Sequence, residues 1–518
     1  MKKTKVDTGQ LYRHSLRKFS GFHRKEVFLV VFLILVIHQL VSGQSPQPPE
    51  NPKIKKHLLL EDLRILKHNL EVVQPGLYNY TSKVEMDAIF EEIKNSINED
   101  MSSIDFFKLI APLSDKIRNG HTIIVPSSTW EDQVVTTMDL LPLNLYFHKG
   151  QLYILHHVSD NDEVQEGSIL KTVNGESATH LFDHMVNRWF KDGYNLTRPR
   201  EIVEEEFRIL YAHFFGATPH YTIEVRTPSG EEKVLNIKGI KETVFKKRLE
   251  KKYGVSYVPW WRRAPKPQSL LITNHTAYLK VTQFSNGVKS TGGKRFGNFI
   301  KAAFKKIKSE NVKNVVLDLR GNQGGDVKPQ LELLKHLVAS PFHLYKDVHA
   351  KVRKLPNPQY YKFDLLSKAD FNKDFVNEKI NGVYPMKERR GFQKEPQAPS
   401  PNVFTGQLYV LIDGWTFSAS GEVCGILKEH RKDAIFIGEE TGGNPVTNIS
   451  GIQTFMTLPH SKNRALICLV NYTTQVSYKN TGHGVQPQYE VRNTIEDMQR
   501  GTDAALRKVN ALILDSEH

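Results

Sequence analysis

The chain has 518 residues, 39% of them hydrophobic and 25% charged. That composition excludes a disordered or fibrous protein and leaves room for about two to four domains. The net charge of +15 suggests nucleic acid, but residues 1–25 carry eight Lys/Arg against one Asp. About half the excess therefore sits in a tail and the rest forms no stripe, so no nucleic-acid partner is expected.

Residues 28–37 are purely apolar behind that basic flank, and Gly43 follows. The block is short for a membrane span, which wants roughly 20 apolar residues. Residues 1–43 read as a signal peptide or signal anchor. The bulk of the chain is then exported, periplasmic or extracellular, with membrane contact through residues 28–41 if the segment is retained. Residues 44–56, rich in Pro, Gln and Ser, read as a linker. From 57 to 130 the pattern is helical. Leu59, Leu60, Leu63, Leu66 and Leu70 repeat at three and four, and Gln74-Pro75-Gly76 breaks the stripe. This helical domain ends at Asn119-Gly120-His121, where Ile123-Ile124-Val125 begins a strand.

Residues 135–245 read as a small β-rich module. Gly167–Gly175 holds a strand ending in Asn174-Gly175, a hairpin turn signal, and Tyr221–Arg226 alternates. Leu181–Phe190 and Ile202–Phe215 are helical insertions in it. Pro259–Pro267 is a linker whose Trp260 and Trp261 are expected to pack on a neighbouring region. From 270 to 518 strand and helix alternate, which predicts an α/β layer. Thr276–Val281, Val315–Leu319, Leu408–Ile412 and Ala434–Gly438 are strands, and Phe296–Ile307 and Gln330–Val338 are helices. Residues 341–400 lack clear periodicity and read as an insertion at the rim. Gln453–Leu458 and Ala465–Tyr472 form a late hairpin, and one helix, Thr494–Leu514, closes the chain. The two cysteines, Cys424 and Cys468, need not pair in a chain this long, and Cys424 is expected to be a buried thiol. No spacing of Cys and His suggests zinc, and no cofactor is expected.

Three small-residue turns follow strands of the α/β region: 318–325, 416–422 and 438–444. Open α/β sheets bind ligands at the carboxyl ends of their strands, so the three turns would wall one site. Ser418 stands where a buried strand hands over to a helix, a place suited to a nucleophile and equally to a helix cap. A base is also required. His121, held by the Asn119-Gly120 turn at a domain edge, is one of 21 histidines and by itself equally a surface turn residue.

Asp318-Leu319-Arg320-Gly321-Asn322-Gln323-Gly324-Gly325 resembles the DLRxNxGG signature of the tail-specific (carboxyl-terminal processing) and tricorn-type serine peptidases. Thr416-Phe417-Ser418-Ala419 resembles their T-x-S-A turn, and Gly438-Glu439-Glu440-Thr441-Gly442-Gly443 their GE-x-T-x-G segment. Gly484-Val485-Gln486-Pro487 resembles the late GVxPD element, with Gln488 for its Asp, and Gly120-His121-Thr122 the GHT element. Gly167–Gly175 resembles a segment of the PDZ domains these enzymes carry.

The resemblance implies an α/β protease core (ClpP/crotonase-like) with an N-terminal helical bundle and a PDZ-like domain. It implies a serine peptidase acting on proteins or peptides, with Ser418 as nucleophile and the Gly324 and Ala419 N–H groups as oxyanion hole. Where tail-specific members place a lysine base this chain has Asn444, so the tricorn-type histidine, His121, is implied instead, with His483 in reserve. Glu439, Glu440 and Glu422 are candidates for a third, orienting acid. The alternative is a catalytically inactive homologue that binds peptide or lipid.

Overall fold

A computed structural model describes residues 52–362, 373–387 and 395–516. The segment 1–43 with its apolar stretch 28–41 lies outside the described residues, as do parts of the 341–400 insertion. Residues Pro49–His518 form one compact unit.

The α/β layer is a six-stranded sheet. Its order is Tyr489–Glu490, Ile435–Gly438, Gln407–Ile412, Asn314–Asp318, Thr276–Lys280 and Ser269–Thr273. All neighbours are parallel except the last pair. Its central strands are apolar throughout because both faces are covered. On one face Val315, Leu317, Leu408, Val410 and Ile412 join the main core, where the helices Phe296–Ser309, Val327–Leu334 and Ala419–His430 also bury their apolar residues. The alternate residues Val316, Tyr409 and Leu411 meet Ala505, Val509 and Ile513 on the other face. That final helix is two helices, Ile495–Arg500 and Ala504–Ser516; Gly501, at φ 65°, ends the first in the left-handed region that stops a helix.

A second sheet is built on the long hairpin Thr447–Thr457 and Arg464–Thr474. The partly described 341–400 insertion is not wholly irregular: Tyr345–Ala350, Tyr361–Lys362 and Tyr384–Pro385 are strands of this sheet. Its strands are short and set between Pro, Lys and Asn, so no period-2 run is long enough to read. Ile123–Val125 adds antiparallel to Arg464–Leu466. That pairing carries the turn before it, with His121, to the α/β region. The helix Lys56–Val73 buries the expected Leu stripe, apart from half-buried Leu60, and its Asp62 accepts the His460 and Ser461 N–H groups at the hairpin tip.

The third sheet is antiparallel, in the order Leu143–His148, Gln151–His157, Ile169–Val173, His220–Arg226 and Glu232–Lys238. Asn174 and Gly175, both at positive φ, make the expected tight turn after its third strand. Two helices, Ala178–Val186 and Thr197–Phe215, pack on it. Trp260 packs as expected, against Trp415 and Phe190 at ring distances of 5.8 and 6.1 Å. Cys424 and Cys468 are both buried free thiols.

Candidate active site

The three turns at the carboxyl edge of the α/β sheet close on one another through the backbone. Phe417 N–H donates to Asn322 O at 3.1 Å, and Gly443 N–H to Thr416 O at 3.1 Å. The approach is too tight for side chains: a Cβ on Gly324 would lie 2.8 Å from both Ser418 Cβ and Ala419 N, and one on Gly443 would lie 2.7 Å from Ser418 N. Glycine at both places is therefore a packing requirement.

Ser418 stands at the N-cap position of the helix Ala419–His430, yet its side chain makes no capping hydrogen bond. Its backbone is at φ 56°, ψ −126°, a conformation costing a non-glycine residue about 1–3 kcal/mol. Strain at a strand-to-helix turn, with the hydroxyl kept off the helix end, is how an exposed nucleophile is presented. Oγ is met by Asn448 Nδ2 at 3.4 Å, and the same amide donates to Glu422 Oε1 at 2.7 Å. Glu422 is fully buried one turn along the helix. Its other oxygen accepts from Gln330 Nε2 and Tyr345 OH, both at 2.8 Å. Burial raises its carboxyl above the ordinary range, and the three neutral donors only partly offset this.

Backbone donors near Ser418 are unequal. Gly324 N–H, expected to face an oxyanion, is spent on Asn322 Oδ1 at 2.9 Å. The Asn322 amide is itself anchored by donation to Val281 O, so this turn closes on its own side chain. Among the described residues no protein acceptor takes the Ala419 N–H.

His121 is brought to the site from the other side. Asn119 Oδ1 accepts its N–H at 3.2 Å and the Thr122 hydroxyl at 2.8 Å, which fixes the turn. The imidazole lies on the Phe417 ring, centroids 4.3 Å apart, next to Ser418 in sequence. Gly120 permits this, since a Cβ there would sit 2.6 Å from Phe417 Cε2. No hydrogen bond joins the imidazole to Ser418, and Nδ1 is buried with no partner among the described residues. Burial, and secondly the Arg198 guanidinium, push the imidazole down to about 3. Arg198 stacks 3.7 Å from the Phe417 ring centre, and burial lowers it to about 9.

The remaining sequence candidates are dispersed. Glu439 binds Arg492 (Nη1 to Oε2, 2.7 Å), which also holds Glu201 and Glu204. Burial lifts the Glu439 carboxyl to about 7 against the pull of Arg492. Glu440 accepts the Gly484 N–H at 2.7 Å and pairs with His483 at 3.2 Å. Neither glutamate hydrogen-bonds His121. Asn444 acts as a bracket: its amide N donates to Tyr80 OH and Asn480 Oδ1, and its oxygen accepts the Val446 and Thr447 N–H groups. Asp318 and Arg320, the most motif-like pair, are scaffold: Arg320 binds Asp318 and also Asp503, ahead of the last helix.

Four residues that the sequence did not single out complete the site: Asp192, Arg198, Asn448 and the ring of Phe417. Asp192, Arg198 and Asn448 lie in stretches whose local pattern is ordinary, and each gains its place only through contacts with distant turns.

No curated protein matches the chain. Among solved structures it is similar to mature CPAF, at 14% identity and a TM-score of 0.56 over 86% of this chain and 94% of that one. It is similar to mature CPAF complexed with lactacystin, at 14% and 0.57 over 86% and 95%. It is also similar to the photosystem II D1 C-terminal processing protease, at 15% and 0.37 over 87% and 98%. At such identity the two CPAF likenesses speak for the fold alone. Residues 275–491, which hold the parallel sheet and all three turns, match Peptidase family S41.

Proposed function

We propose that Ser418 is the nucleophile and His121 the general base of an exported endopeptidase acting on proteins or peptides. The observation that carries this reading is the Ser418 turn: a strained residue between strand and helix, its hydroxyl withheld from capping and the next backbone N–H unspent. Ser418 Oγ attacks the scissile carbonyl carbon as His121 accepts its proton. The tetrahedral oxyanion is taken by Ala419 N–H at the positive end of the helix. On collapse the C–N bond breaks, and the imidazolium returns the proton to the leaving amine. Water, deprotonated by the same imidazole, then releases the acyl group.

His121 is neutral at physiological pH, the form able to accept a proton. Productive geometry needs the ring to move from Phe417 towards Oγ as substrate enters, since resting catalytic hydrogen bonds are often loose. Glu422 supports the nucleophile side through Asn448 and is not an acid for His121. Export rests on the basic flank and apolar stretch of residues 1–43, and membrane attachment on residues 28–41. The 135–245 module, PDZ-like in sequence, would present the peptide as an added strand.

The test compares the full chain with Ser418→Ala on unfolded casein, together with fluorophosphonate labelling. Cleavage and labelling that both depend on Ser418 support the reading; equal cleavage by the two proteins ends it. One observation favours a second reading, an inactive homologue that binds peptide or lipid: the imidazole is buried, next to Arg198 and unbonded to Ser418. That reading requires no fluorophosphonate labelling while peptide or lipid still binds.

A further inference from the structure

Asp192 lies in the loop between the helices Ala178–Val186 and Thr197–Phe215, outside the matched peptidase region. Its carboxylate joins the two sides of the site. Oδ1 accepts the N–H of Gly120, the residue before His121, at 2.5 Å. Oδ2 accepts the N–H of Asn444 at 3.2 Å, next to Gly443, which packs on the Ser418 backbone. The loop repeats the pattern on either side of Asp192. Gly193 N–H donates to Arg118 O at 3.0 Å, on the His121 turn, and Asn195 Nδ2 to Thr441 O at 3.2 Å, on the 438–444 turn.

Asp192 is only 6% exposed and forms no ion pair among the described residues. A carboxylate held this way binds amide N–H groups more strongly than a neutral acceptor would. A carboxylate is also the side chain that can accept from two separate backbone donors at once with no donor of its own. No hydrogen bond joins it to the imidazole: its two oxygens each accept a backbone N–H group.

We infer that Asp192 is a positioning residue, a two-sided backbone clamp that sets the His121 turn against the Ser418 turn for proton transfer. The inference rests on the Ser418–His121 reading. The groups facing Asp192 are Arg198 on the 197–215 helix, Tyr80 in the helical region and Cys468 on the long hairpin. Burial pushes its carboxyl up to about 6, against the pull of the two N–H groups and Arg198. The clamp is therefore ionised at neutral pH. As pH falls through about 6 one oxygen gains a proton and meets an N–H donor, so the clamp loosens.

The experiment uses the full chain, labelled unfolded casein as substrate, and the variants Asp192→Asn and Ser418→Ala. Asp192→Asn is expected to lower kcat at least about tenfold with KM within about twofold, and to remove an acid step in kcat near pH 6. Wild-type kcat with the acid step intact in Asp192→Asn overturns the positioning role. If Ser418→Ala cleaves like the wild type, the nucleophile assignment falls and takes the clamp with it. An inactive Ser418→Ala beside an unimpaired Asp192→Asn overturns the clamp alone. Amide hydrogen exchange on the unaltered chain gives the same answer even if the variant does not fold. The Gly120 and Asn444 amides should be protected at neutral pH and lose protection as Asp192 protonates; fast exchange of both at neutral pH overturns the inference.

Discussion

The two sides of the site are built by opposite means. The Ser418 side is local in sequence: a buried strand, a strained turn and a helix follow one another from Gln407 to His430. Its stiffness comes from continuous burial and from glycines that admit no Cβ. The His121 side is assembled from far-separated pieces: a turn at 118–122, a strand docked on 464–466, a loop carboxylate at 192 and a buried cation at 198. The first is rigid by construction. The second depends on several independent contacts and leaves the imidazole Nδ1 without a hydrogen-bond partner among the described residues. On the proposed roles, the nucleophile is held ready and the base is left to be brought in.

Breaking the local side should cost most. Ser418→Ala is expected to lower casein cleavage at least about 10³-fold and to abolish fluorophosphonate labelling, with thermal unfolding little changed. On the assembled side, His121→Ala should lower kcat by about 10²- to 10³-fold, the range of general-base catalysis. It should leave the far-UV spectrum intact, because the imidazole bonds nothing that holds the turn. An effect under about threefold would show that another group takes the proton.

Gly324→Ala tests the close approach of the turns. A methyl group 2.8 Å from Ser418 Cβ, on a backbone at φ 96°, must push the nucleophile turn aside. A fall in kcat of about tenfold or more is expected, with slower labelling of Ser418. Asn448→Ala removes the amide shared by Ser418 and Glu422. Activity should drop only about three- to tenfold, while urea unfolding shows a loss of about 1–2 kcal/mol from the under-satisfied Glu422 carboxyl.

The last prediction concerns pH, and it reads stability alone. Asp413, at the end of the 407–412 strand, accepts Gly321 N–H at 3.0 Å and the Thr416 hydroxyl at 3.0 Å. Burial first, then the charge of Glu201, push its carboxyl up to about 6. Its folded value lies above its unfolded one, so the folded chain holds the proton longer. The stability this group contributes is complete below about pH 4 and is lost as pH rises through about 6. Asp413→Asn should flatten that part of the stability curve by on the order of 2 kcal/mol, read as urea midpoints on either side of the window.

Much of the α/β layer was legible because its signals are local. Val315–Leu319 and Leu408–Ile412 are apolar enough to be strands covered on both faces, and Phe296–Ile307 has a clear helical stripe. The resemblance to serine peptidases brought Ser418, Ala419 and His121 into one expectation. The structure places the Ser418–Ala419 turn beside the ring that carries His121. The Gly324 N–H donates to Asn322 Oδ1, a partner no local pattern gives, because a backbone donor's direction depends on whether that side chain folds back onto it. Glu439 and Glu440 sat near the right turn in sequence, but Arg492 and the 482–484 loop claim them. The strands in 341–400 were missed because they are short and gain their order only by joining the sheet built on the hairpin.

By itself the sequence determined the elements and the chemistry they could carry: a strand, a hydroxyl at a turn, glycines where no side chain fits, and a histidine after Asn-Gly. Those properties depend on covalent geometry and on burial patterns within a few residues of each other. The tertiary structure alone decided which acid meets which base, which N–H stays unspent, and that Asp192 ties the two sides together. Such outcomes depend on where residues hundreds of positions apart come to rest, and on the cost of burying a charge there, for which no local pattern exists.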